Sequence, residues 1–430
     1  GRLLATTLKT ASRYADPKFV MNPMEAAQKL AKALPGLEPS ELVKRLSSPG
    51  RFVWIKRHLT PRQQYQVNTL GIPGVYFKED SRRFYPHGRL TSHVLGYTDI
   101  DNRGIAGLEK FFEEDLVQGD QSLLQLSLDV RVQEILHQEL TQAVKKHEAI
   151  GAAGVVLDVK TGEIVAMVSL PDFDPQMRRN VSQDALFNRA SLGVYEMGST
   201  FKIFTAAMAL EQKTAKFADR YNTRDPVRLA GGFAITDFRY HGSRLSFPEI
   251  FMHSSNIGAA RIMQQVDLAD QQSFFEQVNF MAPSGIELPE RGQPILPARW
   301  SDVTAQTLSF GYGLAVTPLH LANAVATTVN GGAWRPLTLV KGKENEAMRV
   351  ISEQTSRDIR RLMHLTVNQG TGGKAANTGY LIGGKTGTAK KSSAGGYEDA
   401  VLSSFVGAFP IHDPEYVVLA VLDEPQGTED

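Results

Sequence analysis

The sequence predicts an α+β protein in two parts: a larger domain built on a sheet with helices on both faces, and a smaller, irregular mixed α/β domain before it. Strand-like runs come partly early, at 153–159 and 163–170, and partly late, at 382–390, 402–409 and 416–422, with a helix-rich stretch from about 199 to 329 between them. A sheet assembled from both ends of a segment and covered by helices follows from that order. The first 120 residues show short helices separated by Gly and Pro, and a chain of 430 residues exceeds what one ordinary core organises. The boundary is therefore placed at 120, giving domains 1–120 and 121–430.

In the first domain, Asn22-Pro23 precedes 24–34 and Thr60-Pro61 precedes 62–70, each a capping residue with proline at the first helical position. Between Gly71 and Gly107 the repeated Gly and Pro predict an irregular, strand-poor stretch. Residues 123–128 alternate like a strand, and Asp129 caps an amphipathic helix reaching about Lys146. The runs 153–159 and 163–170, joined by Lys160-Thr161-Gly162, predict a hairpin.

Composition narrows the function. Forty-seven basic and forty-six acidic residues leave a formal charge of +1, so no field exists to hold a nucleic-acid backbone. With no cysteine, disulfides, thiolate metal sites and thiol nucleophiles are excluded. The histidines His87, His93, His137, His147 and His253 show no metal-ligand spacing, and no cofactor is expected. The apolar runs 203–210 and 417–422 fall far below the roughly 18 residues that span a bilayer. The chain opens on Gly1 rather than Met, so a signal or anchor helix is expected upstream.

Three short motifs carry the chemistry. Ser199-Thr200-Phe201-Lys202 opens an apolar helix after Gly198, and residues at i and i+3 share a face, which brings the Lys202 amine to the Ser199 hydroxyl. The helix start places unpaired N–H groups beside that serine, making its own N–H an oxyanion donor. Ser-x-x-Lys also arises by chance once or twice in a chain this long. Ser254-Ser255-Asn256 offers a hydroxyl and an amide two positions apart, suited to relaying a proton and holding a carbonyl; its plain alternative is a helix cap before Ile257. Lys385-Thr386-Gly387-Thr388 begins a strand, where Gly387 lets a substrate backbone approach, the threonine hydroxyls point to one side, and Lys385 attracts a carboxylate. The earlier Lys160-Thr161-Gly162 is explained by hairpin geometry alone.

Ser-x-x-Lys, Ser-x-Asn and Lys-Thr-Gly in this order resemble the motif set of penicillin-binding proteins and class A β-lactamases. With Arg83-Phe84-Tyr85-Pro86, 93–96, 104–109, Ser309-Phe310-Gly311-Tyr312-Gly313 and Thr317-Pro318, nearly the whole chain resembles a class B penicillin-binding protein of the septal, cell-division type, penicillin-binding protein 3. The resemblance implies the serine penicillin-recognising transpeptidase fold, with a five-stranded, mainly antiparallel sheet, behind an N-terminal pedestal of the dimerisation type. It implies Ser199 as acylated nucleophile, Lys202 as base, Ser254 and Asn256 as proton relay and substrate holder, and Lys385, Thr386, Gly387 and Thr388 as the substrate-binding strand, with the N–H of Thr388 in the oxyanion hole. The implied partners are peptidoglycan stem peptides ending in D-Ala-D-Ala, β-lactam antibiotics, a membrane glycosyltransferase and division proteins. The implied location is the periplasmic face of the bacterial inner membrane, with an anchor upstream of this chain.

Departures from the family are Met197 in place of the usual proline, a start inside the opening motif, and an end at Asp430 where relatives continue into a C-terminal helix. A β-lactamase would need a Glu-x-x-Leu-Asn setting for its deacylating water, and none occurs between Asn256 and Lys385. A carboxypeptidase differs only in whether water accepts the acyl group, and a non-catalytic scaffold would keep the pedestal with a vestigial site. For Lys202 to act as a base its pKa must fall from about 10.4 towards neutrality, at a cost of about 4 kcal/mol. No carboxylate should therefore contact it.

Overall fold

The computed structural model describes residues 1–118, 123–177, 180–230, 232–393 and 396–427. It divides into two compact units, Gly1–Gly88 with Tyr97–Ile105, and Arg89–Gly96 with Ala106–Asp430.

The smaller unit is built on a three-stranded antiparallel sheet. Its elements are β1 (Thr6–Ala15), α1 (Pro23–Ala33), α2 (Pro39–Leu46), β2 (Val53–Leu59), α3 (Pro61–Asn68) and β3 (Val75–Phe84), with strand order β2-β1-β3. The capping signals act as read: Asn22 Oδ1 accepts from Glu25 N at 3.2 Å, and Thr60 and Gln63 exchange the two bonds of a capping box. Ala15, Leu30, Leu34, Leu42, Leu46, Ile55, Leu59 and Val75 form one buried cluster between helices and sheet.

The strand-poor expectation for 71–107 fails, because β3 pairs with β1 over ten consecutive positions. The charged run Lys78 to Arg83 hid it, since pairing partners, not local hydrophobicity, make this strand. Residues 123–128 are likewise no strand; only an isolated bridge, Leu126 to Val340, forms there.

The larger unit begins with α4 (Val130–Lys146), capped by Asp129, whose side chain accepts from Arg131 N. It continues with β4 (Gly151–Asp158), β5 (Ile164–Leu170), α5 (Lys202–Glu211), α6 (Asn256–Met263), α7 (Pro318–Val329), α8 (Glu353–Gln369), β6 (Gly383–Ser393), β7 (Gly396–Phe409) and β8 (Tyr416–Asp423). The five strands run in the order β6-β7-β8-β4-β5, and every neighbouring pair is antiparallel. The turn at 158–163 closes the hairpin with Gly162 at φ +80° and Asp158 Oδ1 accepting from Lys160 N and Thr161 N, so that Lys-Thr-Gly copy is structural.

Helices cover both faces. Leu136 and Leu140 of α4 pack on Ala152, Val156, Ala166 and Val168. On the other side α7, apolar nearly all round and buried at all twelve residues, lies against β4 and β8, and α8 lies against β6. This leaves β6 as the edge strand, with its free rim beside the start of α5.

Candidate active site

Ser199 sits in a 3-10 turn, Gly198–Phe201, and Lys202 is the first residue of α5. In a 3-10 turn residues three apart eclipse, which sets the two side chains closer than an α-helical register does. Lys202 Nζ lies 2.8 Å from Ser199 Oγ. Below them Phe201, Phe204, Phe275 and Phe280 form a buried ring cluster with centroids 5.3–5.9 Å apart, which anchors the turn.

Glycines let this turn meet the edge strand. Gly198 has φ +54°, donates to Gly311 O at 3.3 Å, and packs so tightly that a Cβ there would stand 2.4 Å from Thr388 O. A Cβ at Gly387 would stand 2.5 Å from Ser404 Oγ and 2.8 Å from Met197 O, so the Ser199 turn seats directly on β6. Met197 itself is buried, and its carbonyl accepts from Thr200 Oγ1 at 2.8 Å.

The Ser-x-Asn motif is the turn from the helix Phe247–Met252 into α6, with Ser254 at φ +61°. It converges on the same amine: Lys202 Nζ donates to Asn256 Oδ1 at 2.6 Å and to Ser254 O at 2.9 Å, and lies 3.2 Å from Ser254 Oγ. An amide oxygen and a carbonyl oxygen have no proton to offer, so both accept from Lys202, and Ser199 Oγ stands at a further position of the same amine.

Lys385, from the third motif, is wholly buried and donates to Ser254 Oγ at 3.0 Å and to Thr386 O at 3.1 Å. Ser254 thus bridges the two lysines. Burial pushes the Lys202 amine well below the ordinary lysine range, the Lys385 charge adds to that, and Asp237 opposes it. Burial alone brings Lys385 down to about 7. Among the described residues Lys202 forms no ion pair, and its polar contacts are all neutral oxygens.

The structure brings Ser199, Lys202, Ser254, Asn256 and Lys385 into one hydrogen-bonded group and sets Gly387 against the Ser199 turn. Thr386 and Thr388 stand on the rim instead, Thr388 exposed and Thr386 bonded to Thr371 Oγ1 at 3.0 Å. Lys385 lies beneath Ser254 rather than on the surface, and of this motif's side chains those of Thr386 and Thr388 are the ones solvent reaches. Sequence reasoning missed Thr371, the seat at Gly311, and Asp237, whose carboxylate accepts from Ser255 Oγ, Asn256 N and Ile257 N. Thr371 and Asp237 lie in no motif, and Gly311, though inside the Ser309–Gly313 run, carried no signal that it seats the Ser199 turn. Among the described residues no cluster suited to a metal is found, and no helix is long and apolar enough to cross a membrane.

A buried free amine aimed at a half-exposed serine, with an edge strand beside it, is the equipment of a serine acyl-transferase that works without histidine. The known proteins agree. Residues 152–430 match the penicillin binding protein transpeptidase domain, and residues 1–149 match the penicillin-binding protein dimerisation domain. The chain is 37% identical to the probable peptidoglycan D,D-transpeptidase FtsI of Caulobacter vibrioides, over 99% of this chain and 75% of that protein. It is 31% identical to the peptidoglycan D,D-transpeptidase FtsI of Escherichia coli K12, over 99% of this chain and 78% of that one. The crystal structure of penicillin-binding protein 3 from Mycobacterium tuberculosis, complexed with aztreonam, superposes with a TM-score of 0.74 at 28% identity, covering 81% of this chain and 85% of that one. A peptidoglycan synthetase from Bifidobacterium adolescentis shares the fold at a TM-score of 0.76 and 22% identity, over 100% of this chain and 90% of that one. The chain belongs to the penicillin-binding protein transpeptidase family.

Proposed function

We propose that this chain is a peptidoglycan D,D-transpeptidase of the cell-division type, penicillin-sensitive and acylated at Ser199. The observation that carries the reading is the buried Lys202 amine, 2.8 Å from Ser199 Oγ and held only by neutral oxygens. Ser199 Oγ attacks the carbonyl carbon of the penultimate D-alanine while its proton passes to Lys202 Nζ. The N–H groups of Ser199 and Thr388 receive the developing oxyanion. The C–N bond then breaks, and the last D-alanine leaves with a proton relayed through Ser254. An amine of a neighbouring stem attacks the ester carbon, returns its proton by the same path, and frees Ser199.

Asn256 holds the stem's amide, and the peptide lies along the free rim of β6, beside the Ser199 turn that Gly387 lets sit close. Thr386 and Thr388 hydrogen-bond the carboxylate of substrate or antibiotic under the field of Lys385. A β-lactam enters the same path, but its ring opens without releasing a leaving group, and the ester persists. Residues 1–120 serve as a pedestal for division proteins and a membrane glycosyltransferase, and 121–430 carry the reaction at the periplasmic face of the inner membrane.

The test is intact-protein mass under saturating benzylpenicillin. One adduct is expected on the wild type and none on Ser199→Ala. No adduct, or an adduct that survives removal of that oxygen, overturns the reading.

A further inference from the structure

The Ser254–Asn256 turn is held from outside by a segment nineteen residues earlier in the chain. Asp237 accepts three bonds there: Ser255 Oγ at 2.7 Å, Asn256 N at 2.5 Å and Ile257 N at 3.0 Å. The preceding carbonyl, Thr236 O, accepts from Asn256 Nδ2 at 3.2 Å. An amide side chain reads the same to shape whichever way it is turned, so something must choose its orientation. Here the Thr236 carbonyl takes the NH₂ end, which leaves Oδ1 facing Lys202 Nζ at 2.6 Å. Capping alone does not require this clamp, because Ser255 Oγ already accepts from Gly258 N at 2.9 Å.

We propose that Asp237 is a positioning residue of the acyl-transfer site, clamping the Ser254–Asn256 turn so that Asn256 presents its amide oxygen to Lys202. This rests on the reading of Lys202 as the base. The charged groups acting on Lys202 are Lys385, which favours the free amine, and Asp237, which favours the ammonium. The other titratable groups around the turn are His253, next to Ser254, His241 stacked on it at 4.5 Å, and Glu249, which acts on His253. Without Asp237 the amine would be freer of its proton but less well aimed.

The experiment follows acylation by a fluorescent penicillin across pH in the whole chain. Asp237→Asn keeps the shape and removes the charge: the acid limb of the rate profile moves to lower pH, while the plateau falls by less than about tenfold. Asp237→Ala removes the acceptors as well, and the plateau falls by about tenfold or more, with a melting temperature read in parallel. The proposal is overturned if Asp237→Asn, folded, keeps the wild-type limb or moves it upward, or if folded Asp237→Ala keeps the wild-type plateau. Should Asp237→Ala not fold, Asp237→Asn decides. If instead the wild type is not acylated, or its acid limb survives Lys202→Arg, the base assignment has failed rather than the clamp.

Discussion

Replacing Lys385 by Met should move the acid limb of acylation to higher pH. Both lysine nitrogens touch Ser254 Oγ, Lys385 at 3.0 Å and Lys202 at 3.2 Å. They therefore lie within about 6 Å of each other, where two unit charges at an effective dielectric of about 20 repel by about 3 kcal/mol. That repulsion helps keep Lys202 uncharged. Because burial holds Lys385 at about 7, it carries its charge for about half the time at neutrality, so the benefit there is part of the full value. Met fills the buried space without charge. The ratio of free amine to ammonium at Lys202 should therefore fall about twofold at pH 7 and by a factor approaching about a hundred at lower pH, where Lys385 is fully charged, since each 1.36 kcal/mol is tenfold. Acylation by a fluorescent penicillin, followed in stopped flow from pH 5.5 to 10, should show the acid limb moved to higher pH and the rate recovered towards the alkaline end. A limb that stays in place, or a loss equal at every pH, would refute the argument; the second result would mean that Lys385 serves substrate binding alone.

Other expectations are simpler to state. Gly198→Ala places a methyl 2.4 Å from Thr388 O on a residue at φ +54°, so acylation should fall more than about a hundredfold with a lowered melting temperature, read by labelling and calorimetry. Phe280→Ala opens a cavity in the ring cluster under the nucleophile and should cost about 3–5 kcal/mol in urea unfolding. Lys385 binds its proton less tightly folded, at about 7, than unfolded, so the unfolded chain holds more protons between pH 7 and 10 and stability rises with pH across that window. The melting temperature of the wild type should therefore gain more between pH 7 and 9 than that of Lys385→Met; an equal gain would show that Lys385 does not titrate there.

Several elements were legible from local chemistry. The caps at Asn22, Thr60 and Asp129, the hairpin around Gly162 and the apolar strand runs each depend on neighbours in sequence, and the structure places them within a residue or two of the reading, except that the strands read as 382–390 and 402–409 extend to Ser393 and back to Gly396. The strands β1, β2 and β3 were not legible, because their charged and aromatic residues acquire meaning only once β1 lies between two partners. The three motifs named the residues that meet at Lys202. They did not show that Lys385 is buried under Ser254 instead of lying open to solvent, nor that Thr371 and Asp237 join the site.

What the order of residues determined alone is the chemistry: a serine three positions from a lysine, a serine two from an asparagine, and a glycine in a strand, each readable because the relevant contact spans at most one turn. What the tertiary structure decided is the protonation that makes this chemistry work. A pKa depends on the charges and solvent within a few ångströms, and around Lys202 these come from Lys385 and Asp237, brought from 183 and 35 residues further along the chain by the sheet and the loop.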